Sequence, residues 1–406
     1  MNVVRRSAAA LAVTAVIGAA ATPVAHAASP SPSLPSGLYG TGDPTYDGVW
    51  RQSLALLAQD AVGVRPAASA VDWLAGQQCA DGAFAPYRAD TAKACDAKTP
   101  VDTNMTSAAV QALAALGGHD AVTGKAVTWL KSAQNKDGGW GYTAGSPSDA
   151  NSTSLVIGAL SAAGEKPKNV VKGGRSAYDA LLAFAIPCDD GKGAGAFAYQ
   201  PDEKGALAAN ADATAAGVLG ALGKGLTAEA AGTGAAPSCT DGDDLTPEQA
   251  AANGASYLAD ALAADGHLMS ALAGAEDQPD YGNTADAVVA LAAQGGAAQA
   301  AGPLKWLERN ATTWARQSGP AAHAQLILAA HAAGADPRDF GGTDLVRLLG
   351  ASGPAPQAAK QTAAADSDAK SESEDGFGVW WYVGVCLVAG VGIGFLLSGR
   401  NRKQQP

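Results

Sequence analysis

Trp73-Leu-Ala-Gly-Gln-Gln-Cys-Ala-Asp-Gly-Ala-Phe84 and Trp129-Leu-Lys-Ser-Ala-Gln-Asn-Lys-Asp-Gly-Gly-Trp140 are two copies of one pattern. Each opens on Trp-Leu, carries a Gln, and closes on Asp-Gly-x-aromatic. The second begins 56 residues after the first. Each is followed by a polar cluster that opens an Ala-rich run: Asp102-Thr-Asn-Met-Thr-Ser107, then Asp149-Ala-Asn-Ser-Thr-Ser154. A period of roughly 50 residues marks a repeat array.

Outward from these copies, Tyr39 to Gly350 alternates Ala/Leu-rich runs with Gly, Pro and Asp breaks. Alternating β-branched runs are scarce, so the spacing predicts helices. One set is nearly free of charge: Tyr46–Gln59, Thr103–Leu116, Asn151–Ala163, Ala211–Leu222, Thr284–Ala293 and Pro320–Ala333. Small apolar residues all round suit helices packed in an inner ring. The other set is amphipathic and suits an outer ring with one wet face: Ala67–Gln77, Val122–Gln134, Ala177–Ile186, Pro247–Ala263, Gln299–Ala315 and Asp339–Leu349. The later repeats keep only parts of the pattern, such as Asp190-Gly191 with Phe197, Asp265-Gly266 with Leu268, and Trp306-Leu307. The expected fold class is all-α, an α6/α6 toroid. Repeats let such a domain exceed the usual size of a single core.

The ends predict export and anchoring. Arg5-Arg6, the apolar stretch Ala8 to Ala21 and the small-residue site Ala25-His-Ala27 read as a signal peptide over 1–27. Residues 28–38 read as a flexible segment, 39–351 as the toroid and 352–376 as a flexible stalk rich in Ala, Ser, Lys and acids. Residues 377–398 are uncharged and flanked by Trp380, Trp381 and Tyr382, with Arg400, Arg402 and Lys403 in the tail 399–406. That is the pattern of a transmembrane helix with its basic side in the cytoplasm. The domain would then face outward from a cell membrane.

The net charge of −11 becomes −16 once the five basic residues of signal and tail (Arg5, Arg6, Arg400, Arg402 and Lys403) are set aside. So acidic a surface argues against nucleic acid or anionic lipid as partner and favours cationic ligands or divalent metals. Cys79, Cys95, Cys188 and Cys239 are an even set in an oxidising compartment. Of the three pairings, Cys79–Cys95 and Cys188–Cys239 would each staple one inter-helix loop. The second would gather Asp189 and Asp190 near Asp241, Asp243 and Asp244, which makes calcium a candidate.

The Gln…Asp-Gly-x-aromatic segments resemble the QW motif of the terpenoid cyclase and protein prenyltransferase α/α-toroid superfamily, the prenyltransferase and squalene oxidase repeat proteins. The resemblance implies that Gln78, Phe84, Gln134 and Trp140 are structural. A cyclase would need a string like Asp241-Gly-Asp-Asp244 in a dry, aromatic-lined pocket, and aromatics total 6% of the chain. A zinc prenyltransferase would need Asp, Cys and His to converge. His323 and His331 are too far apart along one helix for a single metal, and all four exported Cys fall in loops. Thioester, serine-hydrolase, zinc-protease and phosphate-loop strings are absent.

Fold alone does not choose a function. The polar openings recur as Asp102, Asn104, Thr106; Asp149, Asn151, Thr153; Asn210, Asp212, Thr214; and Asn283, Thr284, Asp286. One cap per helix needs one polar residue, and here there are three, which predicts a ligand rim with Trp140, Tyr142, Tyr199 and Tyr281 beside it. The expected function is non-catalytic capture of a small ligand at that rim, near a membrane transporter. Resemblance to cobalamin carriers makes a corrinoid-like ligand one candidate. The alternatives are a cell-surface enzyme, cyclase-like or polysaccharide-directed, and a protein-binding module. An enzyme predicts an acid of perturbed pKa in the cavity, a receptor predicts a polar rim without one, and a protein-binding module predicts an exposed apolar patch.

Overall fold

Among the residues described by the computed structural model, twelve α-helices alternate between two concentric rings. Those residues are 35–357 apart from 190, 233–235, 243–244 and 271–276. The expected signal peptide, the transmembrane helix, the tail and most of the stalk lie outside them. Among the described residues no helix is long and apolar enough to cross a membrane.

The inner ring is α1 (Gly48–Ala61), α3 (Thr103–Leu116), α5 (Ala150–Ala162), α7 (Ala211–Ala221), α9 (Tyr281–Gln294) and α11 (Pro320–Ala332). Each packs on the next, and α11 packs back on α1, so the ring is closed. The outer ring is α2 (Ala68–Gly76), α4 (Asp120–Ala133), α6 (Ala177–Leu182), α8 (Pro247–Ala263), α10 (Ala297–Ser318) and α12 (Leu345–Ala351). Small residues let the inner helices approach closely. A Cβ on Gly220 of α7 would lie 2.5 Å from Ser154 Oγ of α5.

Two outer helices differ from expectation. α6 ends at Leu182 rather than Ile186, because the chain beyond it turns to pair: the Ile186 N–H donates to Ala196 O, and Ala185 bridges Phe197. α12 begins at Leu345 rather than Asp339, after a 3-10 turn at Pro337–Asp339, with Asp344 as its cap. Two short antiparallel pairs also form, β1 (Val171–Lys172) with β2 (Arg175–Ser176) and β3 (Leu268–Met269) with β4 (Pro279–Asp280).

The repeated pattern is a set of locks. Gln78 Nε2 donates to Gly82 O and to Val122 O of the next outer helix, and Gln134 Nε2 donates to Gly138 O and Val170 O. Gly138 has φ +91°, and a Cβ there would sit 2.3 Å from Ser176 O, so both the turn and the close approach require glycine. The aromatic that follows is buried: Phe84, Trp140 and Phe197 are 0% exposed. Removing the Gln134 side chain would leave two buried carbonyls without a donor. Gln134→Ala is therefore expected to cost about 1–3 kcal/mol, read as a lower urea midpoint at unchanged slope. An unchanged midpoint would count against the lock.

A second lock joins each turn to the next inner helix. The N–H groups of Phe84, Trp140, Phe197 and Leu268 donate to the hydroxyls of Thr106, Thr153, Thr214 and Thr284, at 2.9–3.1 Å. In the sixth repeat His323 takes this position, with Nδ1 3.0 Å from Gly319 O.

Both disulfides form as expected, Cys79–Cys95 and Cys188–Cys239. They therefore offer no thiolate to a zinc ion.

Candidate functional site

The inner ring encloses a cavity of about 270 Å³. All six inner helices contribute: Trp50 from α1, Asn104 and Gln111 from α3, Asn151 and Ser154 from α5, Asp212 from α7, Asp286 from α9 and Gln325 from α11. The segment Lys224–Leu226, just beyond α7, contributes to the wall near Gln111. Gln111 pins it there, accepting from Leu226 N–H at 2.8 Å and donating to Leu155 O at 3.2 Å.

The expected rim separates into two groups. Asn104, Asn151, Asp212 and Asp286 line the cavity. The others lie outside the cavity lining. Asp102, Asp149 and Asp280 cap α3, α5 and α9, accepting from Met105, Ser152 and Asn283 N–H at 2.7, 2.6 and 3.0 Å. Asn283 folds back on that cap, donating from Nδ2 to Asp280 Oδ2 at 2.7 Å. Thr106 and Thr153 belong to the second set of locks. Trp140 is a core residue whose indole N–H donates to Leu130 O at 2.7 Å. Tyr142 is 48% exposed. Its hydroxyl stands near the Asp102 carboxylate without forming a hydrogen bond, so Asp102 Oδ2 stays unpaired. Tyr281 stacks between Trp306 and Trp314, with ring centroids 5.2 and 5.5 Å away.

The sequence reading missed Trp50, Gln111, Ser154, Lys224 and Gln325. Gln111 and Gln325 had a readable signal, since each is a long polar side chain inside a charge-free helical run. Lys224 comes from a loop and had none.

Electrostatics inside the cavity are unbalanced. Asp286 is pushed up to about 7, first by burial and then by the carboxylates of Asp212 and Asp280. Its remaining accessible surface lies at the cavity. Gln325 Nε2 offers only long contacts, 3.3 and 3.4 Å. Asp212 is also raised, by burial, although Asn151 Nδ2 donates to its Oδ2 at 2.6 Å. Lys224 Nζ is turned away to Ala293 O and Glu229 O. Three oxygens of the cavity wall are buried and unpartnered: Asn104 Oδ1, Asn151 Oδ1 and Ser154 Oγ.

The calcium expectation gains nothing from the described residues. Asp189 and Asp241 are exposed beside the Cys188–Cys239 bridge, and Asp241 Oδ1 accepts from Cys188 N–H at 2.7 Å. Asp190, Asp243 and Asp244 lie outside the described residues. Among the described residues no three His, Cys, Asp or Glu side chains converge on a metal position. Asp241 is not among the residues that line the cavity.

Residues 102–175, which contain α3, α4 and α5 and the second copy of the pattern, match the family model of the squalene-hopene cyclase C-terminal domain. Over these residues the chain is similar to the terpenoid cyclase and prenyltransferase toroid proteins. Among solved structures, ent-copalyl diphosphate synthase from Streptomyces platensis is similar at 18% identity and a TM-score of 0.46, over 71% of this chain and 50% of that one. A protein from Actinoplanes is similar at 16% identity and a TM-score of 0.33, over 69% of this chain and 99% of that one. The chain thus covers half the length of the synthase. No curated protein matches it. The closed ring of inner helices is what encloses the cavity. What the cavity does depends on its lining.

Proposed function

We propose that the toroid binds a small polar molecule without transforming it, and that the site is the central cavity rather than the outer rim. The observation that carries this is one cavity on which polar side chains of the inner helices converge: Asn104, Gln111, Asn151, Asp212, Asp286 and Gln325. A concave site with convergent polar groups is where a small polar molecule is held and oriented. The membrane placement and a transporter partner rest on the sequence of residues 352–403 alone.

A second reading is favoured by one observation. Asp286, pushed up to about 7, is a cavity acid part-protonated at neutral pH, as general-acid chemistry of the cyclase kind requires. The family match supports this reading too. Against it, Trp50 is the sole aromatic among the lining residues, which leaves little to steady a carbocation.

Native mass spectrometry of the full chain purified from its own host tests the first reading. The expected result is a reproducible small-molecule adduct, lost in Asn151→Ala. A clean mass even after exposure to host extract would sink the receptor. Product formation from squalene, abolished in Asp286→Asn, would establish the second reading in its place.

A further inference from the structure

We propose that the ligand carries a positively charged nitrogen, an ammonium or guanidinium group, seated between Asp212 and Asp286; this rests on the cavity-site reading above. Most of the long polar donors that line the cavity are already engaged. Asn151 Nδ2 is engaged by Asp212, Gln325 Nε2 is directed at Asp286, both ends of Gln111 are engaged, and Lys224 Nζ is held by two backbone carbonyls. The carboxylates of Asp212 and Asp286 line the same cavity, and Asp286 has only the long Gln325 contacts. Ser154 is only 4% exposed, and its hydroxyl packs against Gly220 of α7.

Charge leads to the same conclusion. Asp212 and Asp280, both acidic, bear on Asp286, while Lys224 of the same lining is held by backbone carbonyls. Like charges gathered in an enclosed site need a cation to neutralise them. A bare metal ion is a poor fit, since no three ligating side chains converge among the described residues. An organic cation is larger, can span two carboxylates, and donates several N–H bonds to separate acceptors. Trp50 adds an aromatic face that suits a cation.

The test is isothermal titration of the full chain, held in non-ionic detergent, with putrescine, agmatine and 1,4-butanediol. The diol matches putrescine in length but is neutral. At least one amine is expected to bind about tenfold or more tighter than the diol. Asp212→Asn and Asp286→Asn should each weaken that binding by about tenfold or more. Both variants remove a charge and keep the shape, so their melting temperatures at neutral pH should hold or rise. If one fails to fold, the other carries the measurement. Equal binding of the diol, or no heat from either amine at about 10 mM, overturns the cationic assignment. A neutral or anionic adduct in the mass spectrum would overturn it too, while leaving the cavity site standing. No heat together with no adduct overturns both.

Discussion

Trp140→Ala is expected to lower the unfolding free energy by about 3–5 kcal/mol. Trp140 is the largest fully buried side chain of the domain. Its removal opens a cavity that backbone on several sides keeps from collapsing. The indole N–H holds Leu130 O near the end of α4, the backbone N–H holds Thr153 of α5, and the backbone carbonyl accepts from Asp149 N–H at 3.0 Å. One residue thus ties an outer helix, a turn and the next inner helix. Because α11 closes on α1, loosening one joint affects a ring and not a free end. Chemical denaturation of the full chain measures the loss. Tyr142→Ala, two residues away and half exposed, is the control and should cost within about 0.5 kcal/mol. A Trp140 loss below about 1 kcal/mol, or equal losses at both positions, would mean that the turn aromatic is not a joint.

The twelve helices were legible because the repeat states its own period. Trp-Leu, Gln and Asp-Gly recur 56 residues apart in the two full copies, and the inner runs are nearly free of charge. Local pairing was not legible: nothing in Phe184-Ala185-Ile186 announces the bridge to Phe197 that ends α6 early. The site was half legible for a geometric reason. In an α-helix each residue advances about 100°. The residue two past the cap then lies about 200° round from it, and the residue four past only about 40°. Asp102 and Thr106 therefore share the side that meets the Phe84 turn, while Asn104 between them faces the cavity. The same division holds for Asp149, Thr153 and Asn151, and for Asn210, Thr214 and Asp212. Reading each polar cluster as one rim merged two faces of the helix. Asp286 stands six past its cap Asp280, about 240° round, and so belongs to the cavity face. Ser154, five past its cap, is about 60° from that face's centre and could have been placed there by the same count.

The domain is expected to gain stability when acidified from about pH 7.5 to about pH 5, against the habit of most proteins. Asp286 is raised to about 7 and Asp102 to about 6, each chiefly by burial; Asp149 and Asp212 are raised too, again chiefly by burial. An unfolded Asp titrates near about 3.9. Between that value and the raised ones, the folded state holds protons that the unfolded state has released. Stability is then fully present below about pH 4 and is lost as pH rises through about 6 and then about 7. Three pK units on Asp286 set a ceiling of about 4 kcal/mol, which cavity water will reduce. A net gain of about 2 kcal/mol or more across that window is expected. Asp43, Asp96 and Asp179 are shifted the other way by local hydrogen bonds. Their contribution falls off only below about pH 4 and leaves the window alone. His323 opposes the effect, because burial lowers its pKa and acid then favours the unfolded state, but it is one group against four carboxylates. Urea unfolding at several pH values gives the slope directly. Asp286→Asn should flatten its upper part, between about pH 5 and 7, and raise stability at neutral pH. Stability that is flat or rising from about pH 5 to 7.5 would show that water reaches these carboxylates. It would also remove the electrostatic strain that a bound cation is proposed to relieve.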